Sequence, residues 1–194
     1  MVFNILRQFN WLDILILFLI FRVLYISIKG GFVVEIFKLT GLLSAIYLSM
    51  HYYLKIADFV RNALPLKEKM PLEFLDFLVF LILAGIGYLF FLLLRSAFNN
   101  LIKIEAVSTL NKWGGLALGS FRSLILSSLL IFLLAISSVP YLKNSTKASY
   151  FGRRLVSISI NIYTWGWSNI FSKFASSEKL NRYVVEVRDW MVSR

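Results

Sequence analysis

The sequence predicts an all-α integral membrane protein: four transmembrane helices in two antiparallel hairpins, followed by an amphipathic helical tail. Three observations predict it. Mean hydropathy is +0.75, with 59% hydrophobic and only 16% charged residues, outside the range of a soluble domain. The apolar residues are gathered in blocks, several long enough to cross a bilayer core of about 30 Å as a helix. The first two blocks are separated only by Lys29-Gly30-Gly31, a connection that implies an antiparallel pair. The expected spans are about 11–28, 32–54, 72–94 and 114–139. They give a transmembrane domain over 1–139 and a basic, membrane-surface tail over 140–194.

Composition also excludes chemistry. The chain has no cysteine and a single histidine, His51, so disulfides, thiolate metal sites and cysteine nucleophiles are removed and little remains for zinc. No cofactor and no metal are expected. The net charge of +11 comes from 21 basic against 10 acidic residues. On a membrane protein that excess sets topology and attracts anionic lipid, at the tail above all, rather than nucleic acid.

Residues 1–10 read as a short amphipathic lead-in, with Trp11 as an interfacial anchor. The first run lacks a small-residue cleavage site before the glycines and is read as retained. Charges stand inside the first two runs: Asp13, Arg22, Glu35 and Lys38. Counted from the glycines, Arg22 and Glu35 lie at similar depth, roughly 9 to 12 Å along their helices at about 1.5 Å per residue. A lone charge there costs at least about 2.5 kcal/mol. Arg22 and Glu35 are therefore expected to pair across the hairpin, or else each, with Lys38, reaches separately to headgroups. Gly41 and Ala45 give the second helix a small-residue face. His51 with Tyr52 and Tyr53 marks its far interface, as a polar anchor or a protonation site.

Residues 55–71 read as a polar loop closed by Pro65 and Pro71. Glu73 and Asp76 open the third span, where the helix dipole favours acids; acid–base or cation chemistry is the sharper alternative. Gly85 and Gly87 imply close packing or a kink. A second polar connection covers 95–112. In the fourth span Gly115 and Gly119 form a GxxxG face, and Arg122, one turn deeper on that face, needs a partner: Glu35, Asp76 or a helix end. Pro140 ends the span.

In the tail, Val156, Ile158, Ile160 and Ile162 alternate with Ser157, Ser159 and Asn161 like a strand. A lone strand at a membrane leaves backbone groups unpaired, so a helix is expected, with Trp165 and Trp167 in an interfacial turn. Leu180, Tyr183, Val184, Val187, Trp190 and Met191 fall at helical spacing opposite Lys179, Arg182 and Arg188. That helix lies on the bilayer or docks on a partner protein. Four spans put both termini and the middle loop on one side. Nine basic residues there, against four opposite, or seven if Arg22, Lys38 and Arg122 snorkel, lean towards the inside.

Two stretches resemble signature regions of the colicin V production (CvpA-like) family. Gly31-Phe32-Val33-Val34-Glu35 follows a basic position, and Asn111-Lys112 precedes Gly115, Gly119 and Arg122. The likeness covers roughly residues 11–165. Asn111 stands where that family usually has aspartate, the basic–glycine step is displaced by one, and Ser123 replaces a glycine. The resemblance implies a bacterial inner-membrane protein tied to colicin V production or export and envelope homeostasis, with no established catalytic reaction. Three functions follow. One is a non-enzymatic protein acting through helix–helix assembly, as a homo-oligomer or with an envelope partner. Another is a small oligomeric channel or transporter using Arg22, Glu35, Lys38, Asp76 and Arg122. The third is an intramembrane hydrolase built on Ser120 and His51.

Overall fold

A computed structural model describes residues 9–63, 71–101, 108–175 and 178–193. Residues 1–8 of the 1–10 lead-in and the loop stretches 64–70 and 102–107 lie outside the described residues. Among those described, all regular structure is helical: α1 (Trp11–Gly30), α2 (Phe32–Ala63), α3 (Leu72–Leu101), α4 (Ser108–Ala135), α5 (Pro140–Ala148), α6 (Tyr150–Asn169), a 3-10 turn (Phe171–Lys173) and α7 (Arg182–Val192). Four segments are long and apolar enough to cross a membrane: Trp11–Gly30, Phe32–Ala63, Leu72–Ala97 and Asn111–Ala135.

The helices outrun the apolar runs. Lys55, Asp58 and Arg61 continue α2 rather than opening a loop. Arg61 explains why: it donates to Asp58 at 2.6 Å, to the Leu72 carbonyl at 3.1 Å and to Asp76, tying the end of α2 to the start of α3. At the other break, α4 stops at Ala135, and Pro140 opens α5 at a first-turn position, where its missing N–H costs nothing.

Local chemistry sets the remaining ends. Asn10 and Asp13 form a reciprocal capping box on α1: the Asp13 N–H donates to Asn10 Oδ1 at 3.3 Å and the Asn10 N–H to Asp13 Oδ2 at 2.9 Å. Gly31 has φ +77°, a left-handed backbone that a side chain rarely adopts, and it lets α2 start one residue after α1 ends.

Packing departs from the expected hairpins. The extensive partnerships are α2 with α3 and α1 with α4, whereas α1 touches α2 little. The two helices diverge from Gly31, and α4 packs on both. Half of the most apolar stretch of α4 is buried, against 17% for that of α3, so α4 is the central helix. The α2–α3 contact uses the small-residue face: a Cβ on Gly87 would stand 2.8 Å from Ala45 Cα, and one on Gly41 3.2 Å from the Tyr88 carbonyl. Gly85 faces open space, and α3 runs through without a break.

The strand-like alternation in the tail is helical. Val156, Ser159, Ile160, Tyr163 and Trp167 are buried, the i, i+3, i+4 stripe of a helix face. Trp165 and Trp167 lie within α6, not in a turn; Trp165 is exposed and Trp167 buried. α6 crosses the far end of the bundle: its start meets Asp13, Ser159 meets Ser128 of α4 at 2.8 Å, and Tyr163 meets His51 of α2 at 2.9 Å. The apolar face of α7, Val184, Val187 and Met191, is buried in the same core. That face docks on its own chain, while Tyr183 and Val192 of the same helix stay exposed.

Candidate functional site

The sequence-derived candidates Gly31, Glu35, Lys38, Gly115, Gly119 and Arg122 meet where α4 enters the angle between α1 and α2. The site is built from the turn outwards. With no preceding turn of its own, α2 leaves the Phe32 N–H without a helical acceptor; Asn111 Oδ1 accepts it at 2.7 Å. An uncharged amide at that position therefore serves as a cap. Any side chain at Gly31 would run into Asn111, which adds a steric reason for glycine to the conformational one.

One turn further, a Cβ on Gly115 would stand 2.9 Å from the Ser27 carbonyl and 3.0 Å from the Gly31 carbonyl carbon, and one on Gly119 would overlap the Ser27 side chain. The GxxxG face thus seats the last turn of α1. That close approach carries Arg122 to the fully buried Glu35: Nε donates to Oε2 at 2.7 Å, and the guanidinium also donates to Ser27 Oγ at 3.2 Å. Lys38 donates to the other carboxylate oxygen, Oε1, at 2.8 Å. Both oxygens of Glu35 are engaged, and the cluster holds two cations on one anion. In a water-poor environment an ion pair persists only with such additional hydrogen bonds.

Arg22 is elsewhere. It is exposed on the outward face of α1, so the expected Arg22–Glu35 pair does not form; α4 lies against the α1 face that bears Ser27. Asp76 is also apart, partnered with Arg61 between α2 and α3. Glu73 stands 3.9 Å from Lys143. Ser120 donates to the Leu116 carbonyl of its own helix at 2.8 Å. It is five residues from Gly115, about 8 Å, whereas His51 is twenty from Gly31, about 30 Å, so the hydrolase pair is not assembled.

Two polar clusters at the far end were not legible beforehand. Asp13, fully buried, accepts from Ser149 Oγ at 2.6 Å and from the backbone N–H of Tyr150 and Phe151 at 3.2 and 2.8 Å. A carboxylate so placed satisfies the orphan donors at the start of α6 and meets its dipole. His51 is likewise buried, with its ring 4.6 Å from that of Trp167. Glu178 Oε2, an ionised carboxylate oxygen that can only accept, lies 2.5 Å from His51 Nε2, so that nitrogen carries the proton of a neutral ring. Nδ1 is then the acceptor for the Tyr163 hydroxyl at 2.9 Å, and Tyr163 Oη in turn accepts the Asn181 N–H at 3.0 Å. The His51 hydrogen bond, with Lys55 at 3.4 Å from the other oxygen, holds the Glu178 carboxyl below the usual carboxylate range. Burial pushes the Tyr163 phenol up to about 12. Asp13 sits in a capping pattern and His51 between tyrosines, but their partners lie more than a hundred residues downstream, beyond any local signal.

A family model described as colicin V production protein matches residues 12–159. The chain belongs to that family. It is a multi-pass membrane protein, and the family is not known as one of enzymes. No curated protein and no solved structure matches the chain. The matched stretch contains the whole Ser27–Glu35–Arg122 junction and Asp13, and it ends before Glu178 and α7.

Proposed function

We propose that this colicin V production family member is a non-enzymatic protein of the bacterial cytoplasmic (inner) membrane that supports toxin production or secretion, or envelope homeostasis, through helix–helix assembly. One observation carries the reading: Asn111, Gly115, Gly119 and Arg122 are each spent on seating α4 against α1 and α2. Residues used this way supply a rigid membrane body, with the exposed apolar faces of α1 and α3 left for lipid or an envelope partner. The test is toxin release from cells carrying Glu35→Gln, with membrane abundance measured in the same cells. The reading expects release to fall in step with abundance. Lost release at unchanged abundance contradicts it.

A second reading, a small oligomeric channel or transporter, is favoured by Arg22. This cation lies on an exposed helix face beside Phe18, Phe21 and Tyr25, and among the described residues it makes no ion pair. An intramembrane charge facing outwards suits a contact with a second copy. Ion flux through reconstituted protein that Arg22→Gln abolishes without loss of abundance would favour this reading over the first.

A further inference from the structure

A groove of about 600 Å³ opens between α2, α3 and α6, lined by Leu43, Tyr47, Ile86, Phe90, Ile162 and Phe171. The tight seating of Gly87 on Ala45 forms its floor. Beyond it, towards the end of the bundle closed by α6 and α7, lies a second depression of about 860 Å³. This one is the more polar of the two and carries Lys55, Lys179 and Arg182, with His51, Trp167 and Glu178. An aromatic wall joins the two: Tyr47 stacks on Phe171 at 3.7 Å and on His51 at 5.3 Å, and His51 stacks on Trp167.

The geometry points to a binding site for one anionic phospholipid, with an acyl chain in the α2–α3–α6 groove and the headgroup phosphate on Lys55, Lys179 and Arg182. Three properties support this occupant. The apolar part lies on membrane-spanning helices, and the basic part lies one to two turns further along α2, where that helix leaves its apolar run. From Leu43 to Lys55 is twelve residues, about 18 Å, a little more than half the bilayer core of about 30 Å. The rim carries three cations against one carboxylate, and that carboxylate, Glu178, is already engaged by His51 and Lys55. A positive rim at interfacial depth is complementary to a phosphate, each basic residue contributing about 1 kcal/mol near an anionic surface.

The test is native mass spectrometry of the full chain in mild detergent, titrated with phosphatidylglycerol or phosphatidylcholine, with inorganic phosphate as competitor. One phosphatidylglycerol is expected to bind at least about tenfold tighter than phosphatidylcholine and to resist excess phosphate. The combined Lys55→Ala, Lys179→Ala and Arg182→Ala variant should bring phosphatidylglycerol down to the phosphatidylcholine level. Gly166→Leu, whose Cβ would meet only the Phe171 ring, at 3.7 Å, should fill the groove and weaken both lipids. Equal affinity for the two lipids in the unmodified chain overturns the proposal, and that comparison needs no variant to fold. Unchanged phosphatidylglycerol binding in the triple variant also overturns it. Displacement by inorganic phosphate would leave a phosphate site without a lipid and would overturn it too.

Discussion

Arg122 of α4 and Glu35 of α2 meet at 2.7 Å across 87 residues of sequence, both buried, with Lys38 on the second carboxylate oxygen. The pair exists because glycine lets α4 approach the end of α1. A bulkier face on α4 would hold the guanidinium away from the carboxylate. Family motif, close packing and charge burial are thus one arrangement.

The glycine contacts are testable by contrast. Gly119→Ala places a methyl on Ser27 and should destabilise by about 1–3 kcal/mol, and Ser27→Gly in the same chain should recover part of the loss. Gly85→Ala, which meets open space, should be neutral or stabilising by up to about 1 kcal/mol. Unfolding in mixed micelles measures all three.

Asp13 should anchor α6. Asp13→Ala removes a charged acceptor shared by Ser149 Oγ and the Tyr150 and Phe151 amides. Charge-assisted hydrogen bonds contribute about 1.5–3 kcal/mol each. Limited proteolysis between 136 and 149 should accelerate in this variant, and less so in Ser149→Ala, which leaves the backbone donors their acceptor.

What the sequence disclosed depended on range. Four spans are legible because long apolar runs have few other solutions, and glycine spacing marks a close face, which puts Glu35 among the possible partners of Arg122. The neighbours of α1 are not. A three-residue connection suggests α1 against α2, but whether a third helix enters between them depends on volumes at Ser27, Gly115 and Gly119 together. The end of α2 was misplaced for a related reason. Asp58 and Arg61 look like loop residues, yet an Arg61–Asp76 contact with the next helix keeps them helical. His51 gave no sign of burial, since Tyr163 and Glu178 reach it from 112 and 127 residues away.

The docking of α6 on α4 admits a covalent test. Ser128 Oγ and Ser159 Oγ are 2.8 Å apart, and the chain has no cysteine of its own. Ser128→Cys with Ser159→Cys should cross-link on mild oxidation and shift on a gel, reversibly with reductant. A tail lying free on the bilayer gives no such product.

Stability should respond to acid through Glu178. Its carboxyl is held below the unfolded value, so the contribution is complete above about pH 4.5 and is lost as pH falls through the lower folded value. The difference in Tm between the unmodified chain and Glu178→Gln should be retained at about pH 5 and shrink as pH falls below about 4.5. A difference that does not shrink between about pH 5 and about pH 3 would contradict the assignment.

The most direct measurement compares the denaturant stability of Glu35→Gln and Arg122→Gln with that of the unmodified chain. Removing Glu35 leaves two cations, Arg122 and Lys38, without their anion, and breaking a buried pair in this way costs about 3–5 kcal/mol. Removing Arg122 leaves Glu35 still paired with Lys38 at 2.8 Å. Glu35→Gln is therefore expected to be the more damaging of the two, with Arg122→Gln intermediate. Equal stabilities, or an inverted order, would contradict the claim that this junction holds the membrane body together.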